Sequence, residues 1–167
     1  MKSVIVDMDG TLALIDHRLK YVRDLPEGVK KDWNKFFDYD EIMRDRLNVP
    51  VFDMVRGLYA IGYKVLIVSA RPRKKAGKAT IDWLSSEGIR HIADPDDGIM
   101  YYHGLYMRGD TFNGKDMRDD SVVKTELLAR IRADGYDPTI AIEDRSRVVR
   151  AWRDNGLTCA QIADGDF

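Results

Sequence analysis

Two carboxylates set two residues apart, Asp7 and Asp9, follow the apolar run Val4-Ile5-Val6 and precede Gly10-Thr11. The run reads as a strand, so both acids lie in a tight turn at its end, where side chains alternate in direction but the turn can reconverge them. Two like charges that close repel unless a cation or a shared proton relieves them. Mg²⁺ is the natural relief, because it prefers hard oxygen ligands and takes one or two carboxylates together with phosphate oxygens. An aspartate pair in an ordinary turn would account for these residues alone, but not for the groups farther along. Ser69, with Ala70-Arg71 behind it, ends the run Val65-Leu66-Ile67-Val68 and offers a hydroxyl and a guanidinium to a phosphate. Lys124 stands at a helix start after Asp119-Asp120, where a point charge offsets an anionic nucleophile and a transferring phosphoryl group. Glu143-Asp144 closes the run Ile140-Ala141-Ile142 and supplies further carboxylates. Each group alone is a common surface feature. In this order they describe a site for phosphoryl transfer.

Such groups need a frame that gathers strand ends. Short β-branched runs alternate with longer amphipathic stretches, the pattern of βα units feeding a parallel sheet buried on both faces. Strands are expected near Ser3 to Met8, Lys64 to Ser69, Thr139 to Ile142 and Thr158 to Ala163, with an extended region between Ile99 and Met107. Helices are expected over Val51 to Ala60, Lys74 to Ser86, Ser121 to Ala133 and Arg147 to Asn155. The fold class is therefore α/β, a doubly wound, Rossmann-like parallel sheet whose ligands collect outside the carboxyl ends of the strands. The stretch from about Leu14 to Pro50 breaks the rhythm: it shows no strand-like run and reads as charged, aromatic helices forming a small cap insertion within a single domain of residues 1–167. Trp33, Phe36 and Phe37 share one helical face there, which reads as the packing surface of the cap rather than a platform for stacking bases.

The sequence Asp7-x-Asp9-Gly10-Thr11, then Ser69, Lys124 and Glu143-Asp144, resembles the four motifs of the haloacid dehalogenase-like phosphatases across nearly the whole chain. The resemblance implies that Asp7 attacks phosphorus and forms an aspartyl phosphate, while Asp9 protonates the leaving oxygen and then activates water. It implies that Ser69 and Lys124 hold the phosphoryl group. Mg²⁺ would be bound by Asp7, the backbone carbonyl of Asp9 and Asp144, with Glu143 reaching it through water. A closer resemblance is to the 3′-phosphatase domain of bacteriophage polynucleotide kinase/phosphatases. It rests on Asp-Gly-Thr-Leu followed by Arg18, on Ser69-Ala70-Arg71, on Asp120 four before Lys124, on Glu143-Asp144-Arg145, on Val148-Val149 with Trp152-Arg153, and on the tail Gly165-Asp166-Phe167. By that likeness Thr11, Arg18, Arg71 and Asp120 join the site, the arginines on substrate phosphate and Asp120 on Lys124 or an arginine. Ala70 stands where that family has glycine and Glu143 where it has aspartate.

The expected activity is thus removal of 3′-phosphates from polynucleotide ends. A nucleotidase for free nucleoside monophosphates would use the same core, and a phosphoacceptor signalling domain shares the Asp, Mg²⁺, hydroxyl and lysine but carries adjacent acids after its first strand. Gly109 to Lys115 has phosphate-loop spacing, yet Asp116 follows where a Ser or Thr should hold Mg²⁺, so no NTP site is expected; Arg108 before it is expected to face substrate. With 27 Lys and Arg against 28 Asp and Glu, no global positive field draws the chain to nucleic acid. The dense basic group is Arg71, Arg73, Lys74, Lys75 and Lys78, which reads either as a solvated helix start or as the path of flanking phosphates. His17, His91 and His103 lack metal-ligand spacing, and Cys159 in a late apolar run reads as a buried strand residue. No run is long enough to span a bilayer and no signal pattern opens the chain, so a cytoplasmic protein without a membrane partner is expected. Oligomeric state leaves no mark in the sequence.

Overall fold

Val4, Ile5 and Val6 are wholly buried, and this is why the strand β1 (Lys2–Asp7) takes the centre of the sheet. The computed structural model describes residues 1–109 and 117–165. Parallel strands flank β1 on both sides: β4 (Lys64–Pro72) and then β7 (Gly104–Arg108) on one, β8 (Asp137–Glu143) and then β9 (Thr158–Gln161) on the other. Val4 and Val6 face a core shared with α4 (Val49–Ala60) and α5 (Arg73–Ser86), whereas Ile5 faces a second core with α6 (Asp120–Ala133) and α7 (Ser146–Asp154). The period of two along the strand thus sorts its side chains between two helical layers. Asp7 continues the Ile5 face, toward α6. This is the expected doubly wound α/β fold.

The expected elements are present with small shifts at their ends. α4 starts at Val49, because Pro50 suits the first helical turn. Asp119 caps α6 by accepting from the Ser121 amide at 2.9 Å. The single extended region read from Ile99 to Met107 is two strands in different sheets: β6 (Met100–Tyr102) pairs with β5 (Ile89–His91), and β7 joins the main sheet after a break at His103. Between β1 and α4 lie the short helices α1 (Asp16–Leu19), α2 (Trp33–Phe36) and α3 (Tyr39–Met43). Contrary to the expectation of a strand-free stretch, an antiparallel pair of two-residue strands, β2 (Ala13–Leu14) and β3 (Arg46–Leu47), lies at its ends. Two residues are too few to write a period-two pattern into a sequence. Among the described residues no helix is long and apolar enough to cross a membrane. Cys159 is buried in β9, and burial pushes its thiol up to about 12. The phosphate-loop-like stretch beyond Gly109 and the last two residues of the tail lie outside the described residues.

Candidate active site

β1 ends at Asp7, and the chain turns at once, the Ala13 amide donating to the Met8 carbonyl at 2.8 Å and the Leu12 amide to the Asp7 carbonyl at 3.3 Å. The turn depends on Gly10, which has φ +83° and whose missing Cβ is the space that the Asp144 carboxylate fills. The Thr11 hydroxyl donates to Asp144 at 3.2 Å. The first-strand turn is thereby fastened to the end of β8.

From α6 the Lys124 ammonium enters between two carboxylates, 2.6 Å from Asp7 Oδ1 and 2.7 Å from Glu143 Oε2. Lys124, Asp7, Glu143 and Asp144 are all buried. Oxygens of Asp7, Glu143 and Asp144 lie within 4.8 Å of one another. Three carboxylates with one ammonium leave two negative charges uncompensated in a buried place. Burial, with repulsion from Glu143, pushes Asp7 up to about 7; burial, with repulsion from Asp7, pushes Asp144 up to about 6. Burial also raises Glu143. The missing charge and the all-oxygen donor set fit a hard divalent cation. Glu143 is the most occupied of the three, since Trp152 Nε1 and the Arg145 amide also donate to it, each at 3.3 Å.

Asp9 belongs to a second and self-balanced group. Arg71 donates to it from Nε, at 3.0 Å to Oδ2, and from Nη2, at 2.6 Å to Oδ1. Arg18 Nη2 donates to the same Oδ1. Behind them Asp45 receives Arg18 Nε and Nη2, each at 2.7 Å, and Arg71 Nη2 at 3.0 Å. Two carboxylates and two guanidiniums thus neutralise one another, the arginines and Asp45 buried and Asp9 alone partly open to water. Burial alone would raise Asp9, but Arg71 and Arg18 outweigh it and hold the carboxyl well below the usual range. Ser69 is also buried, its Oγ accepting from the Arg71 amide at 3.1 Å.

A third group lies beyond Lys124. Asp120 accepts from Arg108 Nη2 at 2.5 Å and from Arg145 Nη1, while Arg108 also donates to the carbonyls of Ala70, at 2.9 Å, and Arg118, at 2.8 Å. The tail is tied to the start of α7: the Ser146 amide donates to the Gly165 carbonyl at 3.3 Å.

The structure therefore gathers Asp7, Asp9, Thr11, Arg18, Ser69, Arg71, Lys124, Glu143 and Asp144 at the ends of β1, β4 and β8, with Arg108 and Asp120 alongside. It differs from the sequence reading at the arginines and at Asp45. Arg18 and Arg71, expected on substrate phosphate, are bound to the carboxylates of Asp9 and Asp45, and Arg71 is buried, apart from the exposed Arg73, Lys74, Lys75 and Lys78. Asp120 is held by arginines, one of the two kinds of partner expected of it. Asp45 went unread, because Arg44-Asp45-Arg46 looks like alternating charge on a solvated surface; Arg145 was read as part of a motif but given no partner.

Set beside known proteins, residues 29–167 match the family described as the polynucleotide kinase PNKP phosphatase domain. A chain of a Pnkp1/Rnl/Hen1 complex is 28% identical with a TM-score of 0.71, the match covering 99% of this chain and 46% of that one. A chain of the Pnkp1/Rnl/Hen1 RNA repair complex is 29% identical, also with a TM-score of 0.71, over 99% of this chain and 43% of that one. This chain thus spans less than half the length of either. A haloacid dehalogenase-like hydrolase from Streptococcus pneumoniae shares the fold at a TM-score of 0.62 with 14% identity, over 95% of this chain and 83% of that one.

Proposed function

We propose that this chain, which belongs to the family of polynucleotide kinase PNKP phosphatase domains, is a Mg²⁺-dependent phosphomonoesterase that removes 3′-phosphates from polynucleotide ends in the cytoplasm. The observation that carries the reading is the pairing of Asp7 with Lys124 at 2.6 Å beside two further buried carboxylates. Lys124 favours the ionised form of Asp7, the form that can attack. Asp7 and Asp144, with the backbone carbonyl of Asp9, would hold Mg²⁺, and Glu143, already engaged by Lys124, would reach it through water. Bound there, the ion supplies charge neutralisation for the phosphoryl oxygens.

In the proposed reaction an Asp7 oxygen forms a bond to phosphorus as the bond to the sugar oxygen breaks, and Asp9 gives that oxygen its proton. Asp9 then takes a proton from water, which attacks the aspartyl phosphate, releasing inorganic phosphate and restoring Asp7. Ser69 and Lys124 hold the transferring group throughout. Arg18, Arg71 and Arg108 position substrate phosphate, Thr11, expected there too, is wholly buried and instead holds Asp144, Asp120 fixes Arg108, and residues 14–50 act as a cap over the entrance. A nucleic acid substrate is supported by the likeness to a chain of an RNA repair complex, which is more than twice as long.

The test is a side-by-side assay with Mg²⁺ of a 3′-phosphorylated oligonucleotide, a 5′-phosphorylated one, and free 3′- and 5′-mononucleotides. Fastest release from the 3′-phosphorylated oligonucleotide is expected, abolished by Asp7→Asn. Preference for 5′ ends would overturn the substrate, and preference for free mononucleotides would make the enzyme a nucleotidase.

A further inference from the structure

The aromatic triplet on α2 does not bury itself as a packing stripe should. Phe36 points inward and joins the core, Phe37 is half-buried, and Trp33 remains 43% exposed. The indole lies nearly parallel to the Phe37 ring, 18° apart with centroids at 5.9 Å, and meets Phe36 edge-on at 5.5 Å. The short helix that carries it is held at both ends, since Asp32 caps it on the Lys35 amide at 3.0 Å and the Phe37 amide donates to the Trp33 carbonyl at 3.1 Å. An indole clamped by two aromatic rings and still open to water is a stacking surface already ordered.

Its surroundings decide what it would stack. The Lys31 ammonium sits over the Trp33 ring at 5.7 Å, and those of Lys20 and Lys35 lie over Tyr21 at 5.0 and 5.9 Å. Asp32, engaged by the Lys35 amide, and Glu41, which accepts from the Tyr21 hydroxyl at 3.3 Å, stand among them, so three ammoniums face two carboxylates in an aromatic patch of slight positive excess. It is also joined to the active site: the Arg18 guanidinium packs on the Phe36 ring at 4.5 Å, donates to the Phe36 carbonyl at 3.1 Å and reaches Asp9. Planar rings and anions together are the chemistry of single-stranded nucleic acid.

We propose that Trp33, backed by Phe37 and flanked by Lys31 and Lys35, is a stacking platform for a base of the single strand whose 3′ end enters the active site. Any base presents a face to it, so it selects chain length and not sequence. The inference rests on the polynucleotide reading above, and it revises the assignment of this face to packing alone.

Trp33 supplies its own probe, because the other two tryptophans, Trp83 and Trp152, are buried. An unphosphorylated single-stranded oligonucleotide should quench the intrinsic fluorescence of the wild type, and the quenching should vanish in Trp33→Phe. In kinetics, Trp33→Ala should raise KM for a 3′-phosphorylated octanucleotide about tenfold with little change in kcat, while hydrolysis of p-nitrophenyl phosphate stays as in the wild type. Trp33→Phe should keep most of the affinity, and Lys31→Ala with Lys35→Ala should flatten the salt dependence of KM. Quenching that persists in Trp33→Phe, or a Trp33→Ala enzyme whose KM for the octanucleotide is unchanged, would overturn the platform. Quenching by the oligonucleotide without release of 3′-phosphate would sink the proposed activity and leave the platform standing.

Discussion

Arg71 grips Asp9 with two nitrogens, Nε and Nη2, and in doing so holds as an anion the residue proposed to act first as an acid. In the proposed reaction a substrate phosphate would compete with Asp9 for these arginines, and Asp9 would carry a proton only when their hold on it is relaxed. The proton matters only where the leaving oxygen is basic. Asp9→Asn should therefore lower kcat on a 3′-phosphorylated oligonucleotide by about 10² to 10⁴ and cost far less on p-nitrophenyl phosphate, whose leaving group departs without a proton. Equal losses on both substrates would remove Asp9 as the acid.

Asp45 balances the same arginines from behind. It is buried, takes three hydrogen bonds from Arg18 and Arg71, and its backbone carbonyl accepts from Trp83 Nε1 at 2.9 Å. Removing one member of a buried charge group leaves the others uncompensated, so Asp45→Ala should destabilise the protein by about 3–5 kcal/mol. Thr80→Val, which removes a single neutral partner of Arg71 Nη1, should cost only about 1–3 kcal/mol. Urea unfolding of the two variants measures the difference, and equal costs would mean that Asp45 carries no special charge role.

The uncompensated carboxylates predict how metal and pH act together. Asp7 and Asp144 ionise near 3.8 when unfolded but near 7 and 6 in the metal-free fold. Between those values the folded state holds more protons, so the stability of the metal-free protein should fall as pH rises from 5 to 8. Asp9 works in the opposite sense, but its depressed carboxyl loses stability only in acid, below its ordinary value of 3.8. Mg²⁺ replaces the protons, and its stabilisation should grow across the same window. Thermal melts with Mg²⁺ and with chelator at pH 5, 6.5 and 8 give the comparison; a Mg²⁺ effect that is largest at pH 5 would contradict the assignment of this cluster as the metal site.

What was legible in the sequence was whatever lies close along the chain. The central strand, its Asp7-x-Asp9-Gly10 turn and the acid pair after β8 each fit within a few residues, and burial on both faces writes an unbroken apolar run. Ser69 and Lys124 were legible because strand ends and helix starts can be located from periodicity. Asp45 was not, since its meaning arises only when a chain of short helices folds it against Arg18 and Arg71, 27 and 26 residues away. The exposure of Trp33 was not legible for a related reason. Its i, i+3, i+4 spacing with Phe36 and Phe37 gives a common face but not the depth of core beneath it, and a four-residue helix buries only the middle of the stripe.

Gly165 lies in the tail and bears on the proposed metal site through backbone alone. A Cβ there would stand 2.6 Å from the Asp144 carbonyl oxygen and 2.7 Å from both the Asp144 carbonyl carbon and the Arg145 Cα. None of these atoms can rotate aside, so the tail or the Asp144 segment must shift. Gly165→Ala should therefore cost about 1–3 kcal/mol in stability and, because Asp144 moves with its backbone, weaken Mg²⁺ binding as well. Gly57 is the control: it is helical, nothing lies within 4 Å of its missing Cβ, and it is exposed. Gly57→Ala should stabilise the protein by up to about 1 kcal/mol and leave Mg²⁺ affinity unchanged. Calorimetric titration of Mg²⁺ into both variants separates the two effects. Wild-type affinity in a destabilised Gly165→Ala protein would show that the tail supports the fold without setting the position of Asp144.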